Sequence, residues 1–265
     1  MTNRHVFGLA FVLVAAGTAI ATDISTVNSF KVEERLFNDF PTTTLVTTNA
    51  YPSLRFNESF EQGAVGNFAN KHVGFLSNDG GTTRFQNNYW QSWELNFTVK
   101  IDTAFGQGQP RKEAGIDVRN PRPRLGFTDE GQVLIASDGE VAVFGGVMPF
   151  TGLGNVYTLG TTAAVKFEYF APGQVDPIVG AYRLTFTDAI TGLHSSGIKL
   201  WGSGEPDGLF GFNDGAEFGL KAQNTRNPQI ADSSDITYGG VSIVPAPASL
   251  ALLGLGGLVV GRRRR

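Results

Sequence analysis

The chain has 265 residues, a formal net charge of −3, no cysteine, 34 glycines and 21 phenylalanines. All 24 acidic residues lie between positions 22 and 243, against 16 of the basic ones, so this stretch carries a net −8 and lacks the positive footprint that nucleic-acid binding requires. Without cysteine there is no thiol catalysis, no thiolate metal site and no disulfide staple, while a body of about 220 residues is long enough for one sizeable core.

The first element in chain order is an export signal. Arg4 precedes an apolar stretch over Val6–Ala16, and Ala19 and Ala21 frame a small-x-small cleavage pattern. Signal peptidase is expected to cut after Ala21, leaving residues 22–243 as the folded body, with 22–52 as a lead-in. Within that lead-in, Asn28–Phe40 suits either a short helix or a further strand.

From Leu54 onward the pattern has period two. Leu54, Phe56 and Phe60 share one strand face. Trp93, Leu95, Phe97, Val99 and Ile101 alternate with Glu94, Asn96, Thr98 and Lys100. Further strands are predicted at Gln132–Ala136, Glu140–Phe144, 164–170, 181–187, Ala216–Ala222 and Ile236–Ile243. Val165, Phe167, Tyr169, Tyr182, Leu184 and Phe186 point inward. Turn signals separate them: Asn78-Asp79-Gly80-Gly81, Asp129-Glu130-Gly131, Ser137-Asp138-Gly139 and Asn213-Asp214-Gly215. Many short strands with no helical period predict an all-β, antiparallel sandwich or jelly roll.

The chain ends in three distinct parts. Val244, Pro245, Ala246, Pro247, Ala248 and Ser249 form a proline-punctuated motif, residues 250–261 form a short apolar run read as a transmembrane segment, and Arg262, Arg263, Arg264 and Arg265 form a stop-transfer block. This tail resembles the PEP-CTERM sorting signal of Gram-negative-type bacteria, although Ala246 stands where that family has Glu between the prolines. The resemblance implies export, transient anchoring in the inner membrane, processing by an exosortase-type membrane protease, and delivery to the cell surface or extracellular matrix.

The body is similar in pattern to concanavalin A-like lectin and glucanase sandwiches. The likeness rests on F-x-E-S-F-E at 56–61, W-x-L-x-F-x-V-x-I at 93–101 and I-T-Y-G-G-V-S-I at 236–243. Glycoside-cleaving members of that class set two carboxylates on one sheet face. The nearest pairs here are Glu113 with Asp117, which share a strand face, and Asp138 with Glu140, at a hairpin tip. His72 and His194 stand without a sequence-adjacent carboxylate, and no nucleophile-elbow, zinc-protease or phosphate-loop motif occurs.

The sequence therefore points to a non-enzymatic surface or extracellular-matrix protein whose sandwich binds polysaccharide or serves as a structural surface component. A glycan-active hydrolase of the same fold and a protein-binding adhesin are the alternatives. Tyr89 and Trp90, beside Asn87, Asn88 and Gln91, are the candidate glycan contacts. The basic segment Arg119–Arg124 reads as a solvated loop able to meet an anionic polysaccharide. No cofactor is implied; calcium is the one ion that the Asn78-Asp79 and Asn213-Asp214 loops could hold.

Overall fold

The computed structural model describes residues 23–63, 66, 68–104, 110–119, 129–145, 148–201, 215–225 and 231–246. The signal segment, most of the tail and the Asn213-Asp214 turn lie outside these residues. A 3-10 turn at Ile24–Thr26 opens the fold, with the Asp23 carboxylate accepting from the Ser25 amide. The strands follow in order: β1 (Ser29–Asn38), β2 (Thr44–Ala50), β3 (Ser53–Phe60), β4 (Ala69–Ser77), β5 (Trp93–Thr103), β6 (Lys112–Arg119), β7 (Asp129–Ala136), β8 (Glu140–Phe144), β9 (Thr151–Asn155), β10 (Ala163–Phe170), β11 (Ala181–Asp188), β12 (Gly192–Ser195), β13 (Lys199–Leu200), β14 (Glu217–Thr225) and β15 (Asp232–Pro245). Among the described residues no helix is long and apolar enough to cross a membrane.

All pairings are antiparallel. Sheet A has seven strands in the order β1-β4-β14-β6-β7-β8-β9; sheet B has eight, in the order β12-β11-β10-β5-β15-β3-β2 with β13 beside β11. The two sheets stack face to face as a sandwich. Strand β5 lies centrally in sheet B, where its alternation sets the register: Phe97 faces Val165 of β10, and Ile101 faces Ile236 of β15. Its inward residues bury completely because a one-residue slip would turn all five to solvent. Trp93 packs edge-on against Phe218 of sheet A, with ring centroids 4.6 Å apart, and beside Tyr169 at 5.6 Å.

Several boundaries differ from the sequence reading. Asn28–Phe40 is strand β1, and the supposed lead-in supplies β1 and β2, which lie at an edge of each sheet. Asp129-Glu130-Gly131 is no turn but the start of β7, paired with β6. Asn78–Gly81 turns the chain but joins no neighbouring strands, since β4 and β5 belong to different sheets. Strand β15 continues two residues past Ile243. Val244 pairs with Glu94, Pro245 with Trp93, and the Ala246 amide donates to the Ser92 carbonyl at 3.0 Å. The first half of the tail motif thus belongs to the end of β15, an interior strand of sheet B, where the proline lies past the pairing with β3 and the strand no longer needs its missing N–H.

Candidate functional site: the outer face of sheet A

Strand β4 is buried on both faces, which is unusual for a sequence that reads A-N-K-H-V-G-F-L-S. Its even positions point between the sheets and its odd positions point out of sheet A. Each side carries a polar cluster, and the two differ in character.

The inward cluster is sealed. Glu58 of β3 accepts from Thr43 Oγ1 (2.6 Å), Asn70 Nδ2 (2.6 Å), Asn224 Nδ2 (2.7 Å) and His72 Nε2 (3.1 Å). A bulge in β1 between Glu33 and Phe37 puts Arg35 at φ +54°, in the left-handed region. From there the Arg35 amide donates to His72 Nδ1 at 3.0 Å, so the ring proton sits on Nε2 and is aimed at Glu58. Burial pushes the Glu58 carboxyl up, but the bonds from His72, Thr43 and Asn70 outweigh it and bring it down to about 2. The sequence shows no carboxylate beside His72 because its partner, Glu58, stands on β3 of the opposite sheet and leaves no local motif. His194, by contrast, is half-buried and its Nε2 meets Thr191.

The outward cluster runs across sheet A. Strand β6 contributes Glu113, Asp117 and Arg119; β14 contributes Glu217, Lys221 and Gln223; β4 contributes Lys71 and Phe75; β1 contributes Glu33; and β7 contributes Gln132. At its centre Asp117, fully buried, accepts from Lys71 Nζ at 2.6 Å and from Arg119 Nε at 2.9 Å. Burial raises the Asp117 carboxyl, and the Lys71 and Arg119 charges more than reverse this, so the group is held below its ordinary range and stays ionised. Lys221 donates to Gln132, and Gln223 donates to Glu113 at 2.9 Å. Arg119 is thus part of this network and not of a solvated loop; residues 120–124 lie outside the described residues.

At one end the face opens into a cleft of about 330 Å³ lined by Lys31, Glu33, Thr83, Arg84, Gln86 and Glu217. Arg84 spans it, donating to Glu33 at 2.9 Å and to Glu217 at 2.7 Å, with its guanidinium 4.0 Å above the Phe75 ring. The Arg84 bond is the chief reason the Glu33 carboxyl is lowered. Between Phe75 and Asp117 lies Gly219, where a Cβ would meet Val73 Cγ1 at 2.3 Å.

Below the face, the buried Tyr238 hydroxyl crosses from sheet B. It accepts from the Gly115 amide at 2.8 Å and donates to the Lys221 carbonyl. Gly115 presents that amide at φ +128°, and a Cβ there would strike the Val133 carbonyl at 1.9 Å.

Three of the four carboxylates singled out in the sequence meet one arginine. Arg111 contacts Glu113 (3.1 Å), Asp138 (3.2 Å) and Glu140 (2.6 Å). Glu113 and Asp117 share a face as expected, but four residues along a strand separate them by about 13 Å, too far for an acid–nucleophile pair. The better-placed partner of Asp117 is Glu217 on the adjacent strand. Glu217 pairs with Arg119, and the resulting diagonal spacing is about 7–8 Å between backbones. The two are 100 residues apart in the chain, so spacing could not have found them. Trp90 is 68 % exposed, whereas Tyr89 is buried and donates to the Ile178 carbonyl at 3.4 Å, which leaves Trp90 alone as a stacking surface. Asp79 already accepts from Ser77, Thr82 and Thr83 of its own loop. Among the described residues no group of three or more His, Asp or Glu side chains is arranged for a metal.

No family model matches the chain, and no curated protein matches it. Solved structures do. An alginate lyase from Corynebacterium sp. is similar with a TM-score of 0.50 and 10% identity, over 82% of this chain and 94% of that one. An alginate lyase of polysaccharide lyase family 7 matches with a TM-score of 0.48 and 12% identity, over 83% and 95%. Lectin I from Ulex europaeus, solved with a fucose glycoside, matches with a TM-score of 0.47 and 11% identity, over 82% and 96%. At these identities the likeness concerns the fold, a concanavalin A-like sandwich.

The likeness overturns the expectation of a non-enzymatic protein. That expectation rested on finding no catalytic carboxylate set along any one strand, yet enzymes are among the proteins built on this sandwich. On an antiparallel sheet, side chains that share a face come from neighbouring strands, where the chain sequence does not juxtapose them.

Proposed function

We propose that the protein is a glycan-active enzyme that receives a polysaccharide on the outer face of sheet A and cleaves it there. The observation that carries this reading is the ionised Asp117 held between Lys71 and Arg119, diagonal to Glu217, which lines an open, charged cleft. Burying acids and bases on an outer sheet face gains little stability over alkyl packing, so such a network marks a functional candidate. The glycan chain would enter over Arg84 and Gln86, whose guanidinium and amide offer donors and acceptors for sugar hydroxyls. Asp117 itself is fully buried, so its part is to hold Lys71 and Arg119 in place as a positioning residue, and the carboxylate that lines the cleft and can meet the glycan is Glu217. One of the similar folds is that of an alginate lyase, which agrees with this reading in ligand class.

The test is a panel of neutral and uronate-containing polysaccharides incubated with the protein and with Asp117→Asn. New reducing ends without ultraviolet absorbance would report hydrolysis; new ends with the absorbance of an unsaturated sugar would report elimination. Cleavage is expected to fall at least a hundredfold in the variant. If no polysaccharide is cut, or if the variant cuts as well as the parent, the reading fails.

The cellular location belongs to the same proposal. The N-terminal segment directs export, and residues 250–265 hold the sandwich at the inner membrane until an exosortase-type protease acts near the proline motif. Mass spectrometry of the exported protein tests this; retention of Arg265 would refute processing.

A further inference from the structure

The tail leaves the sandwich at one end, and that end has a distinct surface. The Ala246 amide is bound to the Ser92 carbonyl, and the Ala171 amide donates to Ser92 Oγ at 2.9 Å. Tyr169 donates to the Tyr89 carbonyl at 2.8 Å, and Tyr89 donates to the Ile178 carbonyl. These bonds tie residues 88–92, the loop 171–180 and the exit of β15 into one end of the molecule. Three apolar side chains project from it: Trp90 (68 % exposed), Ile178 (70 %) and Val175 (45 %).

Reach limits how far this end can stand from the bilayer. From Ala246 to Leu250, where the apolar run begins, there are four residue steps, spanning at most about 14 Å. Trp90 is two residues from Ser92, at most about 7 Å further. The interfacial zone of a bilayer extends about 5–7 Å beyond the hydrocarbon on each side. A segment that enters the bilayer at Leu250 therefore keeps Ala246 within about 14 Å of the hydrocarbon, a tether short enough for this end to reach the headgroups. Tryptophan favours that zone, with its ring in the apolar margin and its N–H in the wet one.

We propose that this end of the sandwich is a membrane-contact face, on which Trp90, Val175 and Ile178 enter the interfacial region of a lipid bilayer. The inference rests on the reading of residues 250–261 as a transmembrane segment. The contact orients the body, so that the enzyme stands on its end while anchored. Three side chains are too few to retain the body on the bilayer once the tail is cut, so cleavage releases it.

The experiment uses the full chain reconstituted in phosphatidylcholine vesicles containing lipid brominated close to the headgroup. Trp93 and Trp201 are buried, so the exposed fluorophore is Trp90. Quenching is expected in the parent, with the quenchable emission lost in Trp90→Phe and reduced in Ile178→Asp. Trypsin added outside the vesicles reports whether the terminal arginines are protected. Protected arginines without Trp90-dependent quenching would overturn the contact face while leaving the anchor reading intact. Unprotected arginines would overturn both. Binding of a glycan by the protein that is lost in Trp90→Ala would assign the ring to sugar and overturn the proposal as well.

Discussion

Replacing Glu58 with Gln changes one oxygen to an amide nitrogen, and the surrounding bonds allow no orientation that accommodates it. If the nitrogen takes the Oε1 side it faces Asn70 Nδ2. Asn70 cannot turn over, because its own Oδ1 accepts from the Phe40 amide at 2.9 Å while Nδ2 also donates to the Phe40 carbonyl. If the nitrogen takes the Oε2 side, Asn224 can flip, since its Oδ1 is unpartnered, but His72 cannot, because its Nδ1 is held by the Arg35 amide. One donor therefore faces another in either pose. A lost bond to a charged group, buried, costs about 1.5–3 kcal/mol, and the displaced donor adds a desolvation penalty. The acid–base balance gives a matching figure: lowering a carboxyl from 4.5 to about 2 stabilises the fold by about 3 kcal/mol at neutral pH. That stabilisation is complete above the ordinary carboxyl value and disappears as pH falls through the lowered one. The gap between parent and Glu58→Gln in urea unfolding should then be about 3 kcal/mol at pH 7, shrink below pH 4.5, and nearly close at pH 2, where a protonated Glu58 presents the same mismatch as Gln. The corresponding loss in Tm is roughly 6–12 °C for a domain of this size. Equal urea midpoints at pH 7, or a gap that does not change with pH, would refute the reasoning.

Two further substitutions probe the links between the sheets. Tyr238→Phe leaves the Gly115 amide and the Lys221 carbonyl buried without their shared partner, so a loss of about 1–3 kcal/mol is expected in denaturant unfolding; a loss under about 0.5 would show the hydroxyl to be dispensable. Lys112→Met strands the buried Asp232 carboxylate and should cost about 3–5 kcal/mol, whereas Lys112→Met combined with Asp232→Leu should recover most of it. A double variant no more stable than the single one would place the cost in packing instead of in the unpaired charge.

Strand β5 and strand β4 show how much of the molecule its sequence discloses. The alternation from Trp93 to Ile101 names the buried face of β5 outright, because one side of that strand is apolar and the other polar. In β4, Asn70, Lys71 and His72 break any such alternation, since polar partners await them on both faces, and the strand goes unread. The candidate site fails to appear for the same reason. Asp117 and Glu217 look like isolated acids until β6 and β14 pair, and Lys71 is a surface lysine in every one-dimensional reading.

By itself, then, the sequence determined the all-β class, the inward residues of the regular strands and the tripartite character of the tail, because these follow from period, turn chemistry and local composition. Tertiary structure alone decided which charges meet. Antiparallel pairing brings residues about a hundred positions apart to within one side-chain length, and the stacking of two sheets seals one polar cluster inside while leaving the other facing outward.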